Sequence, residues 1–270
     1  MASLRGFEPR TDEGRAGIGA ILADPGGAVV GLDFDGTLSP IVADPRRAYA
    51  HPGAAPVLRR LAPRLCAVVI VTGRPVAEAV ALGGFAAVPG LVVLGQYGLQ
   101  RWEAGVTSEP PPEPGVATAR ARLPELLDGT GAWVEDKGHA LAVHTRRAPE
   151  PEATLARLEP PLRALAAETG LRLEPGRLVL ELRPPAVDKG AALRGFLAER
   201  HARSVLYTGD DLGDLPAFAA VRELRAEGLP GVTVCSGSTE VTELAARADF
   251  VVDGPDGVVS MLSALADAVG

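Results

Sequence analysis

A short apolar run near the N-terminus ends abruptly in two carboxylates, and this stretch constrains the fold more than any other. Residues 28–38 read AVVGLDFDGTL, with glycines on both sides of the apolar part. A short run of this kind, rich in β-branched residues, predicts a buried strand. Asp33 and Asp35 then lie at or just past its carboxyl end. Carboxylates this close repel each other, and a hard cation that takes oxygen ligands, such as Mg²⁺, would relieve the repulsion.

Strands that alternate with helices predict the architecture around this stretch. Apolar, strand-like segments at 66–71 and 91–94 follow it, and the alternation of helix and strand resumes from residue 189 to 268. This alternation indicates an α/β fold with a doubly wound parallel sheet. Open sheets of this type bind ligands beyond the carboxyl ends of their strands.

The segment between the two alternating parts follows a different pattern. A proline-rich stretch at 108–115 lies near its start, and Pro184-Pro185 closes it. Between them the order helix, strand, turn, strand occurs twice, which predicts a small α+β domain whose antiparallel sheet is covered on one face. We therefore predict a core formed by residues 1–102 and 187–270, interrupted by an inserted domain at 103–186.

Three predicted strand ends carry reactive side chains. The first has Asp33 and Asp35, the second has Thr72-Gly73-Arg74, and the third has the acidic segment 209–214, GDDLGD. Lys189 opens the helix before the third strand. Each piece alone is typical of a turn or a helix start, but parallel strand ends meet at one edge of a sheet. Together they predict one site, in which the carboxylates bind a metal ion and the hydroxyl, arginine and lysine bind an oxyanion.

The basic residues of the chain are almost all arginine. Lysine and arginine together number 27, and only Lys137 and Lys189 are lysines. A coding bias toward arginine would explain the excess, but lysine differs physically as a compact charge on a flexible stem. Both lysines are therefore candidate site residues. The net charge of −7 argues against a basic nucleic-acid-binding surface, so an anionic substrate must be met by local cations.

Composition and segment lengths also bear on the compartment. Apolar residues make up 47% of the chain, enough for a packed core. No signal-peptide pattern and no apolar stretch long enough to span a membrane is found. Cys66 and Cys235 lie in apolar runs, where reduced thiols are the default. We expect a cytoplasmic monomer without nucleic-acid or membrane partners.

Four ordered motifs resemble those of the haloacid dehalogenase superfamily of phosphohydrolases. They are Asp-Phe-Asp-Gly-Thr at 33–37, Thr-Gly-Arg at 72–74, Asp-Lys-Gly at 188–190 and Gly-Asp-Asp-x-x-Asp at 209–214. The inserted domain falls between the second and third motifs, as in members with an α+β cap of the second type. Within that superfamily, segments 32–45, 134–146 and 176–184 look like those of trehalose-6-phosphate phosphatases.

The resemblance implies a Rossmann-like core with a cap, and Mg²⁺-dependent hydrolysis of trehalose 6-phosphate through an aspartyl-phosphate. Asp33 would be the nucleophile, and Asp35 would act first as general acid and then as general base. Thr72 and Lys189 would contact phosphoryl oxygens. The small-molecule partner would be a sugar phosphate.

Metal ligation is implied by the same resemblance. Mg²⁺ would be bound by Asp33, the backbone carbonyl of Asp35 and Asp210. Asp214, and with it Asp211, would act mainly through metal-bound water.

Substrate-binding roles are implied in both parts of the chain. Gly73 and Arg74 would serve in the core, although Arg74 would bind substrate or merely hold its loop. In the inserted domain, the sugar hydroxyls would be bound through charge-assisted hydrogen bonds by Glu135, Lys137, Arg146 and Glu181. Alternatively, Glu135 and Lys137 lie on a solvated hairpin and have no role in substrate binding. The chain departs from many relatives at 95–98, where Gly-Gln-Tyr-Gly stands in place of Gly-x-His-Gly.

Two other functions stay open at this point. One is a phosphatase of the same class that acts on another sugar phosphate. The other is a catalytically silent domain that only binds sugar phosphates, against which the retained, mutually repelling carboxylates argue.

Overall fold

The computed structural model describes residues 4, 6–111, 113–185, 187–237 and 242–270, which divide into two compact units. The larger unit comprises residues 1–109 and 188–270, and the smaller one comprises 110–187. The first boundary therefore lies after residue 109 and not after 102 as expected. The reason is a strand hairpin at 100–108 that extends the sheet of the larger unit.

The strands and helices follow one another in the predicted order, with one added hairpin. The strands are β1 (Ala28–Leu32), β2 (Ala67–Val71), β3 (Leu91–Gly95), β4 (Gln100–Glu103), β5 (Val106–Ser108), β6 (Trp133–Asp136), β7 (Leu141–His144), β8 (Arg172–Gly176), β9 (Val179–Arg183), β10 (Ser204–Gly209), β11 (Gly231–Gly237) and β12 (Phe250–Asp253). The helices are α1 (Asp12–Ala23), α2 (Ala54–Leu61), α3 (Val76–Gly83), α4 (Pro114–Leu127), α5 (Pro151–Thr169), α6 (Lys189–Glu199), α7 (Leu215–Ala226), α8 (Thr242–Arg247) and α9 (Gly254–Ala268).

The sheet of the larger unit has eight strands in the order β12-β11-β10-β1-β2-β3-β4-β5. The strands from β12 to β3 are parallel, which confirms the predicted parallel α/β core. The antiparallel β4–β5 hairpin at the edge was not predicted. Because Leu32 is in register with both Thr208 and Ile70, the carboxyl ends of β1, β2 and β10 lie side by side.

Burial on both faces explains why the central strands are continuous apolar runs. All five residues of β1 are buried, as are those of β2 and β3. One face packs in a cluster with α1, α2 and α9, and the other with α6 and α7. A strand covered on both faces has no polar positions to alternate with, so the first polar residues appear where the strand ends.

The smaller unit is a four-stranded antiparallel sheet in the order β6-β7-β9-β8, with α4 and α5 on one face. The apolar side chains of β7 and β9 pack with these helices, and they include Leu141, Val143, Leu180 and Leu182. The predicted antiparallel sheet covered on one face is confirmed.

Three smaller expectations have mixed outcomes. The helix predicted at 240–247 is observed over Thr242–Arg247, and residues 240–241 lie outside the described part. The last helix begins at Gly254, earlier than the predicted 258, with proline in its first turn, where proline needs no hydrogen-bond acceptor. Both cysteines are free thiols, as predicted. Among the described residues, no helix is long and apolar enough to cross a bilayer.

Candidate active site

Asp33 and Lys189 form a buried ion pair at the carboxyl end of β1. Their charged atoms, Nζ of Lys189 and Oδ1 of Asp33, lie 2.7 Å apart, and both side chains are at least nine-tenths buried. Asp33 is held in place by its backbone N–H, which donates to the carbonyl of Thr208 in β10. Lys189 is placed by α6, whose N-terminus is capped by the Asp188 carboxylate accepting from the N–H of Ala191.

Asp214 links this pair to the loop after β10. Its Oδ1 accepts hydrogen bonds from Nζ of Lys189 at 2.9 Å and from the hydroxyl of Tyr207 at 2.7 Å. Its Oδ2 accepts from the backbone N–H groups of Asp210 at 3.0 Å and Asp211 at 3.3 Å. A carboxylate offers about four lone-pair directions. All four are used by this chain, so Asp214 holds Lys189 and the 210–211 backbone together.

Asp210 lies against the turn that follows β1. Gly36 has a φ of +71°, and a Cβ at that position would lie 1.9 Å from Oδ2 of Asp210. Only glycine permits this approach and this backbone conformation. The Gly36 carbonyl accepts a hydrogen bond from the buried hydroxyl of Ser236 at 2.7 Å. The turn is thereby fixed from β11 while it leaves room for the Asp210 carboxylate.

Three buried carboxylates converge at this point. One oxygen each from Asp33, Asp210 and Asp214 lies within 4.8 Å of the others. Burial raises the pKa of Asp33 well above its usual value, against the opposing effect of Lys189. Burial and the neighbouring charges of Asp211 and Asp214 raise the pKa of Asp210 to about 7. One lysine does not neutralise three carboxylates, and an all-oxygen set in such a field suits a hard divalent cation.

Lys189 responds to the same field in the opposite sense. Burial by itself would lower the pKa of its ammonium group, but the carboxylates of Asp214 and Asp33 outweigh that effect and raise the pKa well above the usual value. Lys189 is therefore a permanent cation of the site.

Asp35 has a different partner from Asp33, although the two are separated by a single residue. The guanidinium of Arg74 donates two hydrogen bonds of 2.7 Å to its two carboxylate oxygens. Arg74 is mostly buried and also lies 5.6 Å from the centroid of the Phe34 ring. A bidentate pair of this kind gives both strength and orientation. Arg74 thus holds the Asp35 side chain at the end of β1.

Thr72 is buried where β2 ends, next to β1. Its hydroxyl accepts from the backbone N–H of Arg74 at 3.1 Å, which closes a tight turn through Gly73. The adjacent strand ends thus bring together a hydroxyl, a lysine, an arginine and acidic groups, in the combination that suits a phosphoryl group.

A family model described as trehalose-phosphatase matches residues 31–251. The chain belongs to the trehalose-phosphatase family. The matched region contains all of the strand ends described above.

Two curated relatives of this trehalose-phosphatase family member are longer than the chain. A trehalose-phosphate phosphatase of Mycobacterium marinum is 33% identical over 250 residues, which are 87% of this chain and 60% of that protein. A Mycobacterium tuberculosis protein named as an uncharacterized glycosyl hydrolase is 36% identical over 253 residues, again 87% of this chain but 18% of that protein. The chain therefore spans less than two thirds of either relative.

Solved structures support the same fold. The C-terminal domain of the Candida albicans trehalose-6-phosphate phosphatase has a TM-score of 0.73 at 20% identity and covers 97% of this chain and 98% of that one. A haloacid dehalogenase-like hydrolase from Bacteroides thetaiotaomicron has a TM-score of 0.68 at 15% identity, covering 88% and 99%. These identities are low, and the likeness shows the haloacid dehalogenase-like fold.

In the smaller unit of this family member, three of the predicted substrate-binding residues lie on one face of the sheet. Glu135 and Glu181 are both in register with Ala142, on the face opposite the helices. Nζ of Lys137 lies 3.0 Å from Oε2 of Glu181, and both side chains are largely buried. Arg146 lies exposed in the turn after β7. The polar face of this sheet thus carries paired charges at the predicted positions.

The structure also shows site residues that sequence reasoning missed. Tyr207 was assigned only to an apolar strand, yet its hydroxyl binds Asp214, and a tyrosine within such a strand is a signal because a buried hydroxyl needs a partner. His144 was not assigned to the site, yet its Nε2 lies 2.9 Å from Oε2 of Glu135, so this predicted substrate-binding carboxylate has a histidine partner. Burial raises the pKa of Tyr207 well above its usual value, which keeps its hydroxyl protonated as a donor.

Proposed function

We propose that this protein is a Mg²⁺-dependent phosphatase that hydrolyses trehalose 6-phosphate to trehalose and phosphate. The observation that supports this proposal most directly is the buried cluster of Asp33, Asp210 and Asp214 with Lys189, in a chain of the trehalose-phosphatase family. A silent binding domain would gain nothing from keeping carboxylates that repel one another.

The metal site would use Asp33 and Asp210 as direct ligands, together with the backbone carbonyl of Asp35. The carboxylate of Asp214 already accepts four hydrogen bonds from this chain, so it would act through water and through its hold on Lys189. Asp211 caps the next turn, with its Oδ1 accepting from the N–H of Gly213, and would likewise act through water. When bound, Mg²⁺ would supply positive charge between the carboxylates and the phosphoryl oxygens.

The phosphoryl transfer would take place in two steps. In the first, a carboxylate oxygen of Asp33 attacks phosphorus, the bond from phosphorus to the sugar oxygen breaks, and Asp35 gives its proton to that oxygen. In the second, a water attacks the aspartyl-phosphate, Asp35 takes the water's proton, and the Asp33 carboxylate is released with phosphate. Thr72, the Gly73 backbone and Lys189 would hold the phosphoryl oxygens.

Arg74 would act on the acid–base residue in this scheme. Its bidentate contact orients the Asp35 carboxylate, which accepts both hydrogen bonds. Proton donation in the first step then requires the pair to loosen when the anionic substrate arrives. Contact of Arg74 with the substrate phosphoryl group would provide that release.

The sugar part of the substrate would be bound by Glu135, Lys137, Arg146 and Glu181 of the smaller unit. The pairing of Lys137 with Glu181 sets both groups on the polar face of the sheet before any ligand binds. Ordered, charged groups of this kind suit a neutral polyol, because each forms a charge-assisted hydrogen bond to a hydroxyl.

Lys137→Met should raise the KM for trehalose 6-phosphate about 10-fold while kcat changes little, since one charge-assisted hydrogen bond to a sugar is worth about 1.5–3 kcal/mol. Steady-state kinetics would measure the two constants. Arg120→Met is the matched control, because it breaks the exposed Arg120–Asp136 pair beside the same hairpin. Equal KM values in the two variants would remove Lys137 from the sugar site.

Phosphate release from a panel of sugar phosphates tests the reaction and the substrate separately. Trehalose 6-phosphate should be hydrolysed faster than glucose 6-phosphate or sucrose 6-phosphate, and EDTA should abolish turnover until MgCl₂ is added in excess. Activity that survives chelation would contradict the metal-dependent mechanism. A strong preference for another sugar phosphate would contradict only the substrate, and binding without turnover would indicate a silent domain.

A further inference from the structure

The turn between β3 and β4 holds the phosphate-binding loop by its backbone. The N–H of Gln96 donates to the carbonyl of Arg74, and the N–H of Tyr97 donates to the carbonyl of Thr72, both at 2.9 Å. The side chain of Gln100 adds a third contact, because its Oε1 accepts from the N–H of Val76 at 3.0 Å. The loop that carries Thr72 is thus held at three points by the turn and the first residue of β4.

The same turn touches the helix that carries Lys189. Gly98 has a φ of +98°, and a Cβ at that position would lie 2.7 Å from the Cβ of Ala192. Ala192 lies one helical turn beyond Lys189 in α6. The turn at 95–98 therefore lies between the Thr72 loop and the start of α6, and contacts both.

Tyr97 is the residue through which this turn meets the loop. A Cβ at Gly73 would lie 2.8 Å from the Tyr97 hydroxyl oxygen and 2.9 Å from its Cζ, so the ring lies directly against Gly73. Tyr97 adopts φ +59° and ψ +31°, and Gln96 before it has a φ of +48°. Two consecutive left-handed residues other than glycine are unfavourable, and they persist only where the surrounding structure enforces them.

We propose that Tyr97 is a positioning residue for phosphate binding, whose ring packs on Gly73 and keeps the Thr72–Arg74 loop at a set distance from Lys189. Gly73 has no side chain that could pack against the surrounding residues and limit movement of the loop. The Tyr97 ring, which packs against Gly73, limits that movement instead. The atoms nearest to Gly73 are the hydroxyl oxygen, Cζ and Cε1, so the outer end of the ring makes the contact, and we assign the positioning to the ring carbons, which Tyr97→Phe retains. This inference rests on the proposed phosphatase function, in which Thr72, Gly73 and Lys189 bind the phosphoryl group.

Three variants separate positioning from stability. Tyr97→Gly removes the ring and relieves the left-handed backbone, and Tyr97→Phe keeps the ring and removes the hydroxyl. Ala104→Gly is the matched control, because Ala104 has a φ of +50° in the exposed turn between β4 and β5 and gains the same backbone relief. A merely structural role predicts that Tyr97→Gly and Ala104→Gly behave alike once both are folded.

Calorimetric binding of inorganic phosphate, with MgCl₂ in excess, provides a readout that needs no turnover. We expect Tyr97→Gly to raise the Kd for phosphate about 10-fold and to lower kcat/KM for the best sugar phosphate by a similar factor. Both are measured well below the Tm of the variant. Tyr97→Phe and Ala104→Gly should stay within about twofold of the unsubstituted protein in both measurements.

The other outcomes distinguish a failure of the role of Tyr97 from a failure of the proposed phosphatase function. Phosphate affinity in Tyr97→Gly equal to that in Ala104→Gly would overturn the inference. A Tyr97→Phe variant as weak as Tyr97→Gly would overturn it too, because the hydroxyl and not the ring would then be responsible. If the unsubstituted protein hydrolyses no sugar phosphate but binds phosphate, the proposed function fails while the variants still decide the role of Tyr97. Absence of phosphate binding in the unsubstituted protein would overturn both.

Discussion

Asp33→Asn should lower kcat for phosphate release by at least about 1,000-fold, which corresponds to about 4 kcal/mol of transition-state stabilisation. The amide has nearly the shape of the carboxylate and still accepts a hydrogen bond from Lys189, but it lacks the anionic oxygen that would attack phosphorus. Because the substitution removes one of three converging carboxylates, we expect the free energy of unfolding to change by no more than about 1–2 kcal/mol.

Initial rates of phosphate release measure this effect, and the covalent step can be seen directly. Acid-quenched unsubstituted protein, mixed with substrate, should carry one phosphoryl group by intact-mass spectrometry, and Asp33→Asn should carry none. Asp267→Asn is the control, since Asp267 is an exposed carboxylate of α9 that is paired with Arg60 of α2. Turnover by Asp33→Asn at the rate of the control would exclude Asp33 as the nucleophile.

Lys189→Met should destabilise the metal-free protein by about 3–5 kcal/mol, because it leaves two buried carboxylates without their cation. Lys189 Nζ lies 2.7 Å from Asp33 and 2.9 Å from Asp214, and all three side chains are nearly inaccessible to water. Turnover should also be lost, since the residue that holds Asp33 and meets the phosphoryl group is gone. Urea unfolding in the presence of EDTA measures the stability without a metal ion to replace the missing charge.

The only other lysine provides the matched control. Lys137→Met breaks a single pair with Glu181 that is less deeply buried than the Lys189 network, and it should cost about 1–2 kcal/mol. Adding Asp214→Asn to Lys189→Met should recover part of the lost stability, because it removes one of the two unpaired charges. If Lys189→Met costs no more than Lys137→Met, or the double variant is less stable than Lys189→Met alone, the buried network does not stabilise the fold as described.

Much of the site could be predicted because its parts occur at strand ends. The apolar run of β1 stops at Asp33, which is also the first candidate site residue. In the same way, Thr72 directly follows β2 and Asp210 directly follows β10. The alternation of strands and helices then requires a parallel sheet, whose carboxyl ends lie along one edge. The scarcity of lysine singled out Lys189, and its burial between two carboxylates accords with that reasoning.

The β4–β5 hairpin and the partners of the individual carboxylates could not be predicted in this way. Residues 100–108 lack a continuous apolar run, because β4 is only half-buried and β5, at the sheet edge, is exposed. The local pattern placed Asp33 and Asp35 at the same strand end and predicted a partner for neither, yet one is paired with Lys189 and the other with Arg74. Pairing depends on distances between segments far apart in the chain, and no local pattern encodes them.

Local sequence patterns were enough to predict the α/β core, the inserted antiparallel domain, and the carboxylates, hydroxyl and cations that meet at one sheet edge. They were enough because burial on two faces and strand polarity are written in local patterns of apolar residues and breakers. Two arrangements became visible only in the folded chain. The Asp214 carboxylate accepts hydrogen bonds from Lys189, Tyr207 and two backbone N–H groups, and Tyr97 packs on Gly73. These arrangements depend on side-chain packing across elements, where tenths of an ångström decide which contacts form.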